Sequence, residues 1–180
     1  MLLFLPIALL FSACGRENGA LSEAVAFRAA LLETGGCTFQ AEVSADFGET
    51  VREFTLLCRA EADGTMDFTV LAPQSVEGIT ATVTQQGGQI TYDGMAMAFG
   101  LLADGNVIPA AAPALVANCW LSAYIVSAGE GETVYRMEYD EKALTVTTHF
   151  ENSVPFFAEV CYNQQRILKI TISDFSLAAA

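Results

Sequence analysis

Apolar and polar residues alternate with period two through most of this chain, the signature of half-buried β-strands. Two stretches with helical spacing and one uncharged apolar run, residues 1–11, break the pattern. Residues 15–19 are polar and predict a short tether. The first helix is predicted over 20–34, with Leu21, Val25, Ala29 and Leu32 along one stripe and Phe27 and Leu31 widening it. Asn18 can cap it, and Gly35-Gly36 supplies the stop. Residues 37–47 then alternate, with Phe39, Ala41, Val43 and Ala45 on one face and Thr38, Gln40, Glu42 and Ser44 on the other. Residues 51–60 answer them. Asp63-Gly64 turns into 65–71, where Met66, Phe68 and Val70 share a face, and Pro73 ends the run. Residues 78–84 and 89–92 predict a further hairpin through Gly87-Gly88.

The middle of the chain reads differently. Residues 96–113 are rich in Gly, Ala and Pro and predict a loop. Pro113 suits the first turn of a second helix over 113–126, which aligns Val116, Trp120 and Tyr124, with Cys119 and Ala123 alongside. A lone Trp at that spacing is first a core anchor and only second part of a binding box. Beyond Glu130-Gly131 come four alternating segments, 133–139, 143–150, 156–162 and 167–175. Their turns are marked by Asp140-Glu141, by residues 152–155 and by residues 163–165. The order is helix, strands, loop, helix, strands. It predicts a mainly β (α+β) domain, an antiparallel meander whose apolar face the helices cover.

Charge narrows the partners. Twenty-one acids against eight bases leave a formal charge of −13 on 180 residues, a length that suits one domain with a real core. Nucleic acid is excluded, because phosphates call for a Lys/Arg surface. Electrostatic adhesion to anionic lipid is disfavoured for the same reason. No Cys-x-x-Cys occurs among the five cysteines. If Gly48-Glu49 turns a hairpin, Phe39 is expected to face Leu56, Ala41 to face Phe54, and Cys37 to face Cys58. That pair is then either a disulfide or two small buried thiols. Cys161 is a poorer partner for Cys119.

Residues 1–11 have the length of a secretory h-region and run into Phe11-Ser12-Ala13-Cys14. This resembles a bacterial lipobox, with Phe11 where Leu is usual. The resemblance implies cleavage before Cys14 and a diacylglyceryl group on its thiol. The mature chain would then be lipid-anchored to the cell membrane on its extracytoplasmic face. The organisation expected is a signal peptide at 1–13, a lipidated N-terminus and tether at 14–19, and one domain at 20–180. The apolar run is too short to span a bilayer, which takes ~20 residues.

The order of elements resembles the LolA/LolB-like lipoprotein-carrier superfamily. The resembling text is the helix leading into the 37–47 strand, then Phe68-Thr69-Val70-Leu71-Ala72-Pro73, Val76-Glu77-Gly78-Ile79 and Gly88-Gln89-Ile90-Thr91-Tyr92-Asp93-Gly94. The resemblance implies a curved antiparallel half-barrel of about 9–11 strands closed by two or more helices. It also implies an apolar interior that accommodates lipid or an acylated ligand. From the first half of the chain the expected lining is Phe39, Phe54, Leu56, Phe68, Val70 and Ile79, continuing through Val83, Ile90 and Tyr92. From the second half it is Val146, Phe156, Val160 and Ile170. Any fold would use these same positions for its core, so periodicity alone leaves open whether the space inside is empty.

Catalytic chemistry finds little to build on. His149 is the single histidine, on the polar side of a Thr-rich strand, and no neighbour in sequence makes it a base or a ligand. There is no Gly-x-Ser-x-Gly, His-Glu-x-x-His or phosphate loop. Acids at Glu130/Glu132 and Glu138/Asp140/Glu141 read as solvated turns. The expectation is a non-enzymatic protein without cofactor or metal. Its partners are a membrane, through the anchor, and a lipid or acyl chain; an envelope interaction or regulatory module is the alternative.

Overall fold

The computed structural model describes residues 14–46, 51–84, 87–92, 94–99, 102–103, 106–139 and 142–179. The signal-like run at 1–13 and the turns at Gly48-Glu49 and Asp140-Glu141 lie outside them. Helix α1 (Cys14–Glu33) opens the fold. It begins at Cys14, so residues 15–19 are helical where the sequence suggests a tether. Gly35 and Gly36 end it with φ of 82° and 136°. A Cβ on Gly36 would collide with the Ala60 carbonyl, so glycine alone lets the next strand close on its neighbour there.

Six strands follow: β1 (Gly36–Asp46), β2 (Val51–Glu61), β3 (Met66–Ala72), β4 (Thr80–Thr84), β5 (Gly87–Tyr92) and β6 (Met95–Phe99). A small hairpin of β7 (Leu102–Ala103) and β8 (Asn106–Val107) leads through a 3-10 turn, Pro109–Ala111, into helix α2 (Ala112–Ser122). Then come β9 (Tyr124–Gly129), β10 (Glu132–Tyr139), β11 (Lys142–Glu151), β12 (Val154–Tyr162) and β13 (Gln165–Leu177). Eleven strands form one antiparallel sheet in the order β6-β5-β4-β3-β2-β1-β13-β12-β11-β10-β9. The pairing of β1 with β13 stitches the two halves of the chain together at mid-sheet. The sheet is an open half-barrel with β6 and β9 at its edges, α1 lying against β9.

Local chemistry explains the hairpins. Asn152 and Ser153 have φ of 51° and 63°, and Asn163 and Gln164 have φ of 50° and 64°. Each pair closes a two-residue loop, between Glu151 and Val154 and between Tyr162 and Gln165. Two consecutive left-handed residues make the turn whose twist matches the flanking strands. At the β2–β3 turn, Thr65 N–H donates to Asp63 Oδ1 at 2.8 Å and Gly64 takes φ 87°.

Beyond the tether, the elements and their pairing correct five sequence expectations. Gly87-Gly88 belong to β5, since Thr84 already pairs with Gly87. Residues 96–113 hold β6, the β7–β8 hairpin and the 3-10 turn in place of a loop. The second helix stops at Ser122: Ala123 is extended, and Tyr124, Ile125 and Val126, aromatic and β-branched, continue as β9. The β1–β2 register places Phe39 against Cys58, Ala41 against Leu56 and Cys37 against Ala60, two residues from the expected pairing. Asp46 pairs with Val51, and every other pair follows from that one. Because the offset is even, the same residues still share a face.

The fifth correction concerns α1. Its core-facing residues are Ala24, Phe27 and Leu31, whereas Leu21, Val25, Ala29 and Leu32 are exposed. Phe27 decides the orientation by packing edge-on against Trp120 at 5.8 Å and Phe150 at 5.0 Å, and beside Phe175 at 5.9 Å.

Candidate functional site

The register assigns every strand residue to a face. Phe39, Leu56, Phe68, Val70 and Val83 line the inner face of the N-terminal half and are buried. Val146, Val160 and Ile170 line it in the C-terminal half and are buried too. Phe54, Ile79 and Ile90 are half-buried against this core. Phe156 is not on this face. The register shift between His149 and Phe150 turns it outward, 6.3 Å from the His149 ring, and Pro155 and Ala158 take the buried places.

Helix α2 occupies the concavity. All its residues from Ala112 to Leu121 are buried, and it packs against β1, β2 and β10 to β13. A helix apolar on all sides must be surrounded, and Ala112, Ala114 and Ala117 let its backbone come close to the sheet. Trp120 anchors it: the indole Nε1 donates to Thr148 Oγ1 at 2.9 Å, and the ring packs on Phe39 and Phe175. Arg28 of α1 closes the helix C-terminus. Its Nε donates to the Trp120 carbonyl at 2.7 Å, and its Nη2 to the carbonyls of Cys119 at 3.1 Å and Ala123 at 2.6 Å. They sit at the negative end of the helix dipole, where carbonyls run short of helical partners, and the Cys119 carbonyl also accepts from the Ala123 N–H at 3.2 Å.

Between α2, α1 and β1 the packing leaves no space for a water-sized probe around Leu31, Cys37, Ala117 and Trp120. Of the expected lining residues, Phe39, Leu56, Val146, Val160 and Ile170 are buried on the strands that α2 covers. A cleft of about 250 Å³ lies at the surface between Ala20, Ala24 and Phe27 of α1 and the strand ends at Gly131, Thr133 and Phe150. That is smaller than the ~300–1,000 Å³ of ordinary ligand pockets.

Beyond α2 the inner face continues without that cover. Ala81 pairs with Ile90, Ile90 with Met97, and Tyr92 with Met95, so these side chains share the inner face. Tyr92 is 52% exposed, Met97 64% and Met95 70%. The apolar face that is sealed at Leu56 and Val83 thus opens to solvent across β5 and β6. Met95 and Met97 are absent from the sequence-derived lining because 96–113 reads as a loop. Their alternation with Ala96 and Ala98 is the signal that marks them. Methionine is flexible and polarizable, suited to apolar partners of varying shape.

The remaining chemistry is structural. Cys37, Cys58, Cys119 and Cys161 are free, and Cys37 and Cys58 are diagonal neighbours on the inner face. Burial pushes the Cys37 and Cys119 thiols up to about 12, and the Cys58 thiol further, with Cys37 beside it adding to the shift. Thiols held neutral in this way are poor nucleophiles. Burial also raises the Tyr135 phenol to about 12, against the opposing charge of Arg28. His149 does gain a neighbour that the sequence hides: Glu132 lies directly across the strand pair, with Oε2 3.7 Å from Nδ1. Both sit on the outer, solvated side. Among the described residues no three His, Cys, Asp or Glu side chains gather as a metal site, and no helix is long and apolar enough to cross a membrane.

The architecture is that of an open antiparallel half-barrel plugged by one helix and flanked by another. Among solved structures it is similar to a LolA superfamily protein from Nitrosomonas europaea, with TM-score 0.47, 9% identity, and 87% of this chain and 94% of that one covered. It is also similar to the Mycobacterium tuberculosis lipoprotein LppX, with TM-score 0.43, 10% identity, and 94% and 99% covered. An uncharacterized conserved protein from Thermus thermophilus follows at TM-score 0.44 and 11% identity, with 87% and 88% covered. No protein-family model matches the chain, and no curated protein matches it. At scores and identities this low, the likeness says nothing of ligand or partner.

Proposed function

We propose that this protein is a membrane-anchored, extracytoplasmic lipoprotein that binds a lipid or an acylated ligand on the apolar inner face of its half-barrel, without catalysis. One observation carries the reading: the inner face outruns its helical cover and leaves Ile90, Tyr92, Met95 and Met97 as an apolar apron continuous with the buried core. An acyl chain laid along it gains about 0.8 kcal/mol for each methylene removed from water. The deeper residues, among them Phe68, Val70 and Val83, form the buried wall behind this apron.

The double variant Met95→Glu/Met97→Glu tests the site. Both residues are largely exposed, so the thermal melt is expected to stay near that of the parent while binding of a hydrophobic fluorescent dye is lost. Retained dye binding would place any lipid site elsewhere. A second reading, an envelope interaction module, is favoured by the occupation of the concavity by α2. A parent protein that binds no dye and carries no added lipid mass in a native mass spectrum would decide for it.

Anchoring is tested separately. Cys14→Ser is expected to abolish signal cleavage and membrane retention together, since both depend on the modified thiol. Diacyl modification gives lasting attachment where a single chain would be marginal. A variant still processed and still membrane-bound would remove the lipobox reading.

A further inference from the structure

Helix α1 carries two apolar stripes, one residue out of phase. Ala24, Phe27 and Leu31 meet the core. The second stripe stays half exposed: Leu21 is 45% exposed, Val25 51% and Leu32 48%. Consecutive helical residues are about 100° apart, so the second stripe looks sideways out of the fold and not into it. Three branched aliphatic residues in one line are more than the scatter of single apolar residues that any surface shows.

What lies before this helix names the occupant. The helix begins at Cys14 itself, so no tether separates the residue marked for acylation from α1. Positions 14, 21, 25 and 32 are spaced by 7, 4 and 7, the spacing of one helix face, so the residue that the sequence marks for acylation lies in line with the exposed stripe. At ~1.5 Å per residue, Leu21 stands about 10 Å along the axis from Cys14 and Leu32 about 27 Å. An anchor at position 14 therefore holds the whole stripe within one helix length of the bilayer.

We propose that the Leu21–Val25–Leu32 stripe rests on the lipid surface, so that α1 lies in the plane of the membrane and the domain is held down instead of swinging on a tether. This rests on the anchored-lipoprotein reading above. The chain's negative charge directs the contact to neutral lipid, through apolar insertion and not through headgroup attraction.

The test uses the full chain produced and processed in a bacterium, purified in detergent and reconstituted into phosphatidylcholine vesicles that contain a photoactivatable acyl chain. After illumination, lipid adducts are mapped by peptide mass spectrometry. Adducts are expected on the α1 peptide at Leu21, Val25 and Leu32. In the variant Leu21→Ser/Val25→Ser/Leu32→Ser they should be lost, while the vesicle-bound fraction and the melting temperature stay at parental values. Vesicle-bound parent protein without adducts in α1 overturns the inference and leaves the anchor standing; this needs no variant to fold. Protein that fails to float with vesicles, and behaves the same with Cys14→Ser, overturns the anchoring reading instead. Copy-to-copy crosslinks through α1 in place of lipid adducts would show that a second chain occupies the stripe, and would also overturn the proposal.

Discussion

Trp120→Ala is expected to destabilise the fold by about 3–5 kcal/mol, the range for removing a large aromatic residue from a packed interior. The residue is fully buried and ties α2 to four other elements at once. Its ring meets Phe27 of α1, Phe39 of β1 and Phe175 of β13. Its Nε1 supplies the hydrogen bond to the buried Thr148 hydroxyl of β11. Truncation leaves a cavity and strips Thr148 of that donor, and both costs add. Against a total stability of about 5–15 kcal/mol, such a loss removes a large share of it. Urea denaturation followed by far-ultraviolet circular dichroism measures it, since the single tryptophan can no longer report. Trp120→Phe should recover more than half of the loss by refilling the space. A loss under about 1 kcal/mol for the alanine variant would mean that α2 does not plug the sheet.

Val146→Glu is expected to abolish the cooperative melt. Val146 is fully buried on the inner face, flanked by Tyr135 of β10 and Val160 of β12. A carboxylate placed there is shut away from solvent between Tyr135 and Val160. It must either ionise at a cost of several kcal/mol or stay protonated with its pKa driven up by burial. Met97→Glu makes the same chemical change on the same face of the sheet, yet its carboxylate stands in solvent. The contrast between the two variants locates the boundary between sealed core and open apron. If Val146→Glu melts like the parent, the concavity is open water and α2 does not fill it.

How much of this was legible before folding differs from element to element. The strands over 37–47, 51–60, 65–71 and the four C-terminal segments were readable because period-two alternation assigns each residue to a face without reference to any partner. The inward residues from Phe39 to Ile170 followed directly, and the even slip in the β1–β2 register left them in place. Phe156 failed for a reason the period cannot express: one bulge reverses the parity of everything on one side of it. The strand β6 was hidden because Gly, Ala and Pro around it weaken propensity, while its pairing with β5 is supplied from outside the segment.

Residues acting across long sequence distance had no local sign at all. Arg28 closing the end of α2, and Glu132 lying opposite His149, are products of topology. The two stripes of α1 were both present in the sequence, and hydrophobicity favoured the wrong one. Leu21, Val25 and Leu32 are the larger aliphatics, but Phe27 is what packs on Trp120, and the smaller Ala24 is buried near the strand ends.

Alternation, turn residues and the small-residue text around Cys14 thus determined from sequence alone that this is an acidic, mainly antiparallel protein with one apolar sheet face. They likewise placed Cys14 as the residue to test for acylation. The tertiary structure alone decided what covers that face: α2 over β1, β2 and β10 to β13, and solvent over β5 and β6. The reason is physical. Side-chain period reports which residues face the same way, a property of a single strand or helix. Whether the space they face is filled depends on where a distant segment docks, and that is settled by the packing of the whole chain.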